Sequence, residues 1–279
     1  MRLGGPVFDA PPDDPDAWVA AHREEGYSAA FVPIDRSASA DTIRAFREAA
    51  EKAGLMLAEV GAWSNPMSPD EAQRKAALEH CHGQLALAEE IGARCCVNIC
   101  GSLDGEQWDG LHRDNLTDET FDAVVETTRA IIDAVKPTRT AYALKTMPWM
   151  FPDSVENHER LLRAIDRPGF AVHYDPVNLV SSPQKFYSTT AMINEAFDRL
   201  GPHIRSCHGK DIMLRKHLTT HLDECRPGLG GLDHRTMLRR LHALGDVPLM
   251  LEHLPTAEEY RAAAAHVRSE AAACGLAFA

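Results

Sequence analysis

The sequence predicts one α/β domain, a single parallel (β/α)8 barrel of the TIM barrel class over residues 1–279. Three observations carry this. β-like runs alternate with helical segments eight times, with no break in composition. A length of 279 residues suits one such barrel and is long enough for a large core. Finally, Lys145, Asp175, His208 and Glu252 each close an apolar run, one βα repeat apart. Polar residues at the C-terminal ends of successive strands converge on one pocket in this architecture.

The elements follow in order. Residues 2–8 are a short β-like run, and 16–25 read as a helix stopped by Gly26. Residues 28–32 form the second strand, closed by Pro33, and 40–53 a helix ended by Gly54. Residues 55–60 are the third strand. Ser68 is the expected N-cap of the next helix, with Glu71 completing a capping box, and the helix runs to about Ile91. Residues 94–100 supply the fourth strand, by their β-branched content. Thr117 caps a helix to Val135, with Asp118 and Glu119 in its favourable first turn. Strands at 141–145, 170–174, 204–208 and 247–252 follow. Helices at 154–165, 189–200, 233–244 and from Pro255 to near Gly275 separate and end them. A doubly wound open sheet is the rival architecture, but no Gly-x-Gly-x-x-Gly follows the first strand. Two long connections, 101–116 and 209–232, follow strands and therefore belong to the catalytic face.

Composition narrows the function. The chain is 44% apolar with a formal net charge of −12, and no basic patch of the kind a nucleic-acid binder carries is evident. The start of the chain lacks the apolar region of a signal peptide, and no run reaches membrane-spanning length. Seven cysteines, without zinc-ribbon spacing, read as reduced thiols. A cytoplasmic location is expected.

Asp175, His208 and Glu252 offer carboxylate, imidazole and carboxylate from adjacent strands, a set suited to Mn, Mg, Co or Zn. Lys145 does not fit it, because an ammonium repels a divalent cation. Replacing one glutamate by lysine and removing the metal leaves the site's charge sum unchanged. A weak or absent metal is therefore expected, with Lys145 in its electrostatic place. A second group lies after the seventh strand: Lys210, Asp211, His217, His221, Glu224 and Arg226. Arg226 suits hydroxyl, carboxylate or phosphate oxygens, and His221 and Glu224 suit acid/base work. Asn178 suits a sugar hydroxyl. His173 reads as a core histidine, and Glu59 is a lesser candidate. Trp63, Trp108, Trp149 and Phe151 lie in βα loops, and Trp149 is a candidate stacking surface for a sugar ring.

Residues 142–154, 170–183, 206–211, 221–233 and 249–254 resemble the sugar phosphate isomerase/epimerase group of xylose-isomerase-like TIM barrels. That group is similar to D-tagatose 3-epimerase and, more distantly, to endonuclease IV, within the AP endonuclease 2 superfamily. The resemblance implies a divalent metal held by Glu, Asp, His and Glu at the ends of strands five to eight. Asp175, His208 and Glu252 match three positions, and Lys145 replaces the first glutamate. It also implies substrate binding by Arg226, whereas Asn178 stands where the group has a histidine.

The expected activity is abstraction of a proton next to a carbonyl of a sugar or keto-sugar, giving isomerisation, epimerisation or β-elimination. Glu252 is the expected base. Lys145 would stabilise the enediolate or form an imine, and His208 and Asp175 would orient substrate or hold a metal. The alternatives are a keto-sugar lyase or dehydratase, a non-catalytic sugar-binding or partner-supporting barrel, and a metal-dependent phosphodiesterase. Expected partners are a small-molecule sugar or keto-sugar, with a homo-oligomer left open and neither nucleic acid nor membrane.

Overall fold

A computed structural model describes residues 1–279 apart from Asp9 and Pro12. Its barrel strands are β1 (Arg2–Gly4), β2 (Ala29–Phe31), β3 (Met56–Gly61), β4 (Cys95–Asn98), β5 (Tyr142–Lys145), β6 (Phe170–Tyr174) and β7 (Ile204–Gly209). A separate antiparallel hairpin follows, β8 (Asp211–Leu214) with β9 (Leu222–Cys225). Then β10 (Pro248–Leu251) pairs with both β7 and β1 and closes the barrel. All barrel pairings are parallel, so the C-terminal ends of the strands share one rim.

The helices are α1 (Pro15–Glu24), α2 (Ala40–Ala53), α3 (Glu71–Ile91), α4 (Asp118–Val135) and α5 (Val155–Ile165). They continue with α6 (Pro183–Phe186), α7 (Thr189–Leu200), α8 (His234–Leu244) and α9 (Ala257–Ala273). Side-chain caps set their starts. Ser39, Thr117, Ser154 and Asp233 each accept the N–H three residues on. Gly54 and Gly92 end α2 and α3 with φ of +67° and +80°, a left-handed turn that glycine adopts without strain.

Three expectations need correction. The first strand stops at Gly4 instead of Phe8: Pro6 has no N–H to give the ladder, and Gly5 adds little to hold it. Asp70, not Ser68, caps α3: its carboxylate accepts Gln73 N–H at 2.8 Å, and Glu71 is already helical. Thr256 rather than Pro255 starts α9, since only the threonine offers an acceptor. The long 209–232 connection contains the hairpin. Asp211 then anchors the return loop, its carboxylate accepting the backbone N–H groups of Ile212, Gly228, Gly230 and Leu232.

Strand alternation sorts the core. Tyr142, Leu144, Val172, Tyr174, Cys207, Leu249 and Leu251 pack into the two large clusters shared with the helices. The intervening residues face the bore. Small side chains fill much of its lower part: Ala141, Ala143, Ala171, Cys95 and Val97 in one cluster, Ala29, Ala58 and Met250 in another. One further step along the same faces brings His173 and Asp175, Ser206 and His208, Lys145, and Glu252. The seven cysteines are all free thiols. Among the described residues no helix is long and apolar enough to cross a membrane.

Candidate active site

The four strand-end residues meet. Lys145 Nζ lies 2.8 Å from Glu252 Oε2 and 3.4 Å from Asp175 Oδ2. His208 Nδ1 lies 2.8 Å from Glu252 Oε2 and 3.8 Å from Asp175 Oδ2. The strands dictate this. Lys145 ends β5, Asp175 follows β6, and Glu252 follows β10, two positions beyond the inward-facing Met250 that pairs with His208.

A second lysine joins them. Lys210 Nζ lies 2.8 Å from Glu252 Oε2, 3.1 Å from Asp175 Oδ2 and 3.1 Å from Glu224 Oε2. It also lies 3.0 Å from His253 Nδ1. Sequence reading placed Lys210 in a loop of ionisable residues and gave it no role. The signal was its position two residues past His208, at the point where the barrel strand gives way to the hairpin. His253, adjoining Glu252 with φ of +59°, was missed altogether.

Beneath this layer Glu59 accepts hydrogen bonds from Ser206 and His173 and faces His208 Nε2 at 3.3 Å. The His173 and His208 rings stand edge to face, 4.1 Å between centroids. His173 is thus a buried, partnered histidine, as expected, and Glu59 is the acid that was undervalued. Its trace in the sequence was a charged residue inside the apolar β3 run Leu57-Ala58-Glu59-Val60.

Electrostatics fix the charges. Burial opposes protonation of His208, but Glu252 and Glu59 outweigh it and raise its pKa to about 10. Burial alone would raise the pKa of Glu252. The His208 imidazolium and the ammoniums of Lys145 and Lys210 instead hold it well below the usual carboxylate range. Asp175 is likewise depressed, against its burial, by Lys210, Lys145 and His208. Lys210 is raised by Asp175, Glu252 and Glu224 although burial opposes it, so it stays an ammonium. His173 is lowered by burial and by the neighbouring His208, and stays neutral.

Asp175, His208 and Glu252 bring ligand atoms close enough together to hold a divalent ion. The surroundings do not fit one. Asp175 Oδ2 and Glu252 Oε2, the oxygens such an ion needs, each face two ammonium nitrogens within 3.4 Å. A doubly charged ion about 4 Å from one ammonium is repelled by about 8 kcal/mol even at an effective dielectric of about 20, and two lysines are present.

Above the charged layer opens a cavity of about 740 Å³. Lys145, Lys210 and Glu252 reach it from below, and Trp63, Trp108 and Trp149 stand in its walls. Lys145 Nζ lies 5.5 Å from the centre of a Trp63 ring. Trp149 donates its indole N–H to Asp109 O at 2.8 Å, tying the loop after β5 to the loop after β4. Asn178 lines the cavity while its amide donates to Thr146 O at 2.9 Å. Glu224 lines it too, bonded to Lys210 and His253. Two expected residues stand outside. Arg226 Nε pairs with Glu259 Oε2 at 2.7 Å, in the first turn of α9. His221 is exposed on the hairpin, beside His217. His221 lies in the outer turn of the hairpin, whereas Arg226 follows Cys225 at the hairpin's base and is held by α9 instead of facing the cavity.

Comparisons with known proteins agree with this architecture. No curated protein matches the sequence. Among solved structures, the apo 3-keto-D-glucoside 4-epimerase YcjR from E. coli is similar at a TM-score of 0.68 and 16% identity, covering 96% of this chain and 99% of that one. A xylose isomerase-like TIM barrel protein from Mycobacterium smegmatis in complex with magnesium has a TM-score of 0.66 at 18% identity, over 95% and 91%. Endonuclease IV from Thermus thermophilus has a TM-score of 0.74 at 16% identity, over 97% and 98%. These likenesses show the fold. The sequence profile described as "Xylose isomerase-like TIM barrel" matches residues 19–270, and the chain belongs to that family.

Proposed function

We propose that this protein is a carbohydrate isomerase or epimerase-type enzyme that works next to a carbonyl of a sugar or keto-sugar, with lysines in place of a metal. One observation carries the reading: Lys145, Lys210 and Glu252 share the floor of a cavity walled by three tryptophans. Tryptophan faces suit the apolar faces of sugar rings, and fixed ammoniums suit the oxygen on which negative charge grows. The similarity to an epimerase of 3-keto-D-glucosides supports the substrate class.

The chemistry follows from the charges. At rest Glu252 is a weak base, because Lys145, Lys210 and His208 all draw on its Oε2. A carbonyl oxygen entering beside the lysines competes for their N–H groups and restores basicity to the carboxylate. Glu252 takes the proton from the adjacent carbon, the electron pair moves to the carbonyl oxygen, and the two ammoniums hold the resulting enediolate. Delivery of the proton to the former carbonyl carbon, with the hydroxyl proton passing from one enediolate oxygen to the other, gives the isomer. Protonation of the original carbon from its opposite face gives the epimer. Departure of a β-hydroxyl as water, carrying the proton that Glu252 took, gives the dehydrated product. Asp175 and His208 keep the lysines and Glu252 in register. An imine between Lys145 and the carbonyl is the covalent version, and borohydride trapping of a Lys145 adduct tests it.

The same clamp on Glu252 favours a second reading, a barrel that binds sugar without turning it over. Solvent exchange separates the two. Ketoses and keto-sugars incubated in D2O with EDTA are expected to gain deuterium at the carbon beside the carbonyl, and Glu252→Gln to stop it. Binding without exchange across the panel would leave only the second reading.

A further inference from the structure

We infer that the cavity is built for a two-ring carbohydrate, with one ring on the charged floor and a second ring held between the loops after β4 and β5. The inference rests on the carbohydrate reading above and specifies its substrate.

Size comes first. A cavity of about 740 Å³ falls in the upper part of the roughly 300–1,000 Å³ range of pockets that enclose drug-sized ligands, well above the need of one hexose. Its chemistry is divided between two levels. The charged groups lie at the bottom, where Lys145 and Lys210 are 4% and 1% exposed. Trp63, itself 40% exposed, reaches down to them, with a ring centre 5.5 Å from Lys145 Nζ. One ring with a carbonyl fills this level.

The upper level has a different character. Trp108, 43% exposed, and Asp109 come from the long loop between β4 and α4, and Trp149 from the loop after β5. The Trp149 indole bond to Asp109 O locks these loops together, so the upper wall is fixed rather than open to collapse. Ile212 and Leu222 from the hairpin line the same cavity. Two indoles and two aliphatic side chains with an acid between them offer an uncharged ring stacking surfaces and a hydroxyl partner. Among the described residues Lys145 and Lys210 are the only lysines or arginines that line the cavity, so a phosphate on the ring away from them would meet no such cation.

Titration calorimetry with D-fructose against turanose and maltulose, ketoses that carry a second ring, tests the inference. The two-ring ligands are expected to bind at least tenfold more tightly. In Trp108→Ala that ratio is expected to fall to near one, and in Trp108→Phe to recover most of its value. Equal affinity for one-ring and two-ring ligands in the wild type would overturn the inference and leave the carbohydrate reading standing. So would a ratio that Trp108→Ala leaves unchanged. No binding of either length would remove both.

Discussion

Lys145 and Glu252 are 107 positions apart in the chain, yet the lysine ammonium lies 2.8 Å from the glutamate Oε2. The lysine side chain is 5% exposed and the glutamate 16%. Charges so enclosed are held because partners of opposite sign surround them: Asp175 also meets Lys145, and Lys210 and His208 also meet Glu252.

Removing one member is therefore expected to destabilise the fold. Lys145→Met should cost less than the roughly 3–5 kcal/mol of leaving a buried charge wholly unpaired, because Lys210 and His208 still meet Glu252 and Lys210 still meets Asp175. Lys145→Met with Glu252→Gln should recover part of that loss. Urea denaturation of the two single variants and the double variant measures the coupling. Additive losses would show that Lys145 and Glu252 do not depend on each other.

Metal affinity should rise when the lysines go. The wild type is expected to bind Mn2+ weakly, and Lys145→Glu with Lys210→Met at least a hundredfold more tightly by calorimetry. The change removes two positive charges and adds a carboxylate beside Asp175, His208 and Glu252. Equal Mn2+ affinity in both proteins would mean that the ammoniums do not exclude the ion.

Turnover should need Lys210 more than substrate binding does. Its charge helps most when the carbonyl oxygen becomes an oxyanion. Lys210→Met is thus expected to lower kcat by about 10²–10³, with a smaller change in KM. A KM effect alone would make Lys210 a binding group.

Two histidines should set opposite limits on stability with pH. His208 is raised in the fold to about 10 from an ordinary 6.5. Its contribution is complete below pH 6.5 and disappears as pH rises through about 10. His158 is fully buried in α5, neither ring nitrogen has a hydrogen-bond partner among the described residues, and burial lowers its pKa to about 3. Unfolded chains protonate it first, so stability falls from pH 6.5 toward 3, by up to about 1.4 kcal/mol per pH unit from this group. His158→Leu is expected to flatten that acid limb relative to the wild type in urea midpoints between pH 4.5 and 7. Parallel wild-type and variant curves would exclude His158 as the cause.

Asp211 should control the loop that returns to α8. Four backbone N–H groups converge on its carboxylate. Asp211→Ala is expected to speed amide hydrogen exchange at Gly228, Gly230 and Leu232 by more than tenfold, while the β6 amides exchange as before. Unchanged exchange there would show the loop is held by other contacts.

The barrel and half of the candidate site were legible in the sequence because both follow from period and position. Alternation along β5, β6 and β10 puts Lys145, Asp175 and Glu252 on the inner face, whatever the loops do. Lys210 was harder to read because its direction depends on where β7 ends and β8 begins, and nothing in Gly209-Lys210-Asp211 marks that division. Arg226 and His221 were placed by chemistry alone. Their orientation depends on how the hairpin leaves the rim, a tertiary matter that residue type does not encode. Glu59 was visible only as an oddity, since its partners Ser206 and His208 come from the opposite half of the chain.

The alanines at 141, 143 and 171 give the bore a narrow plug of methyl groups under the ionised layer. The height at which a ligand comes to rest is thus governed from underneath, by atoms no ligand reaches. Enlarging one of them, as in Ala143→Val, would press on the ionised layer from beneath, so the seating of the lysine platform in this scaffold is set from the core outward.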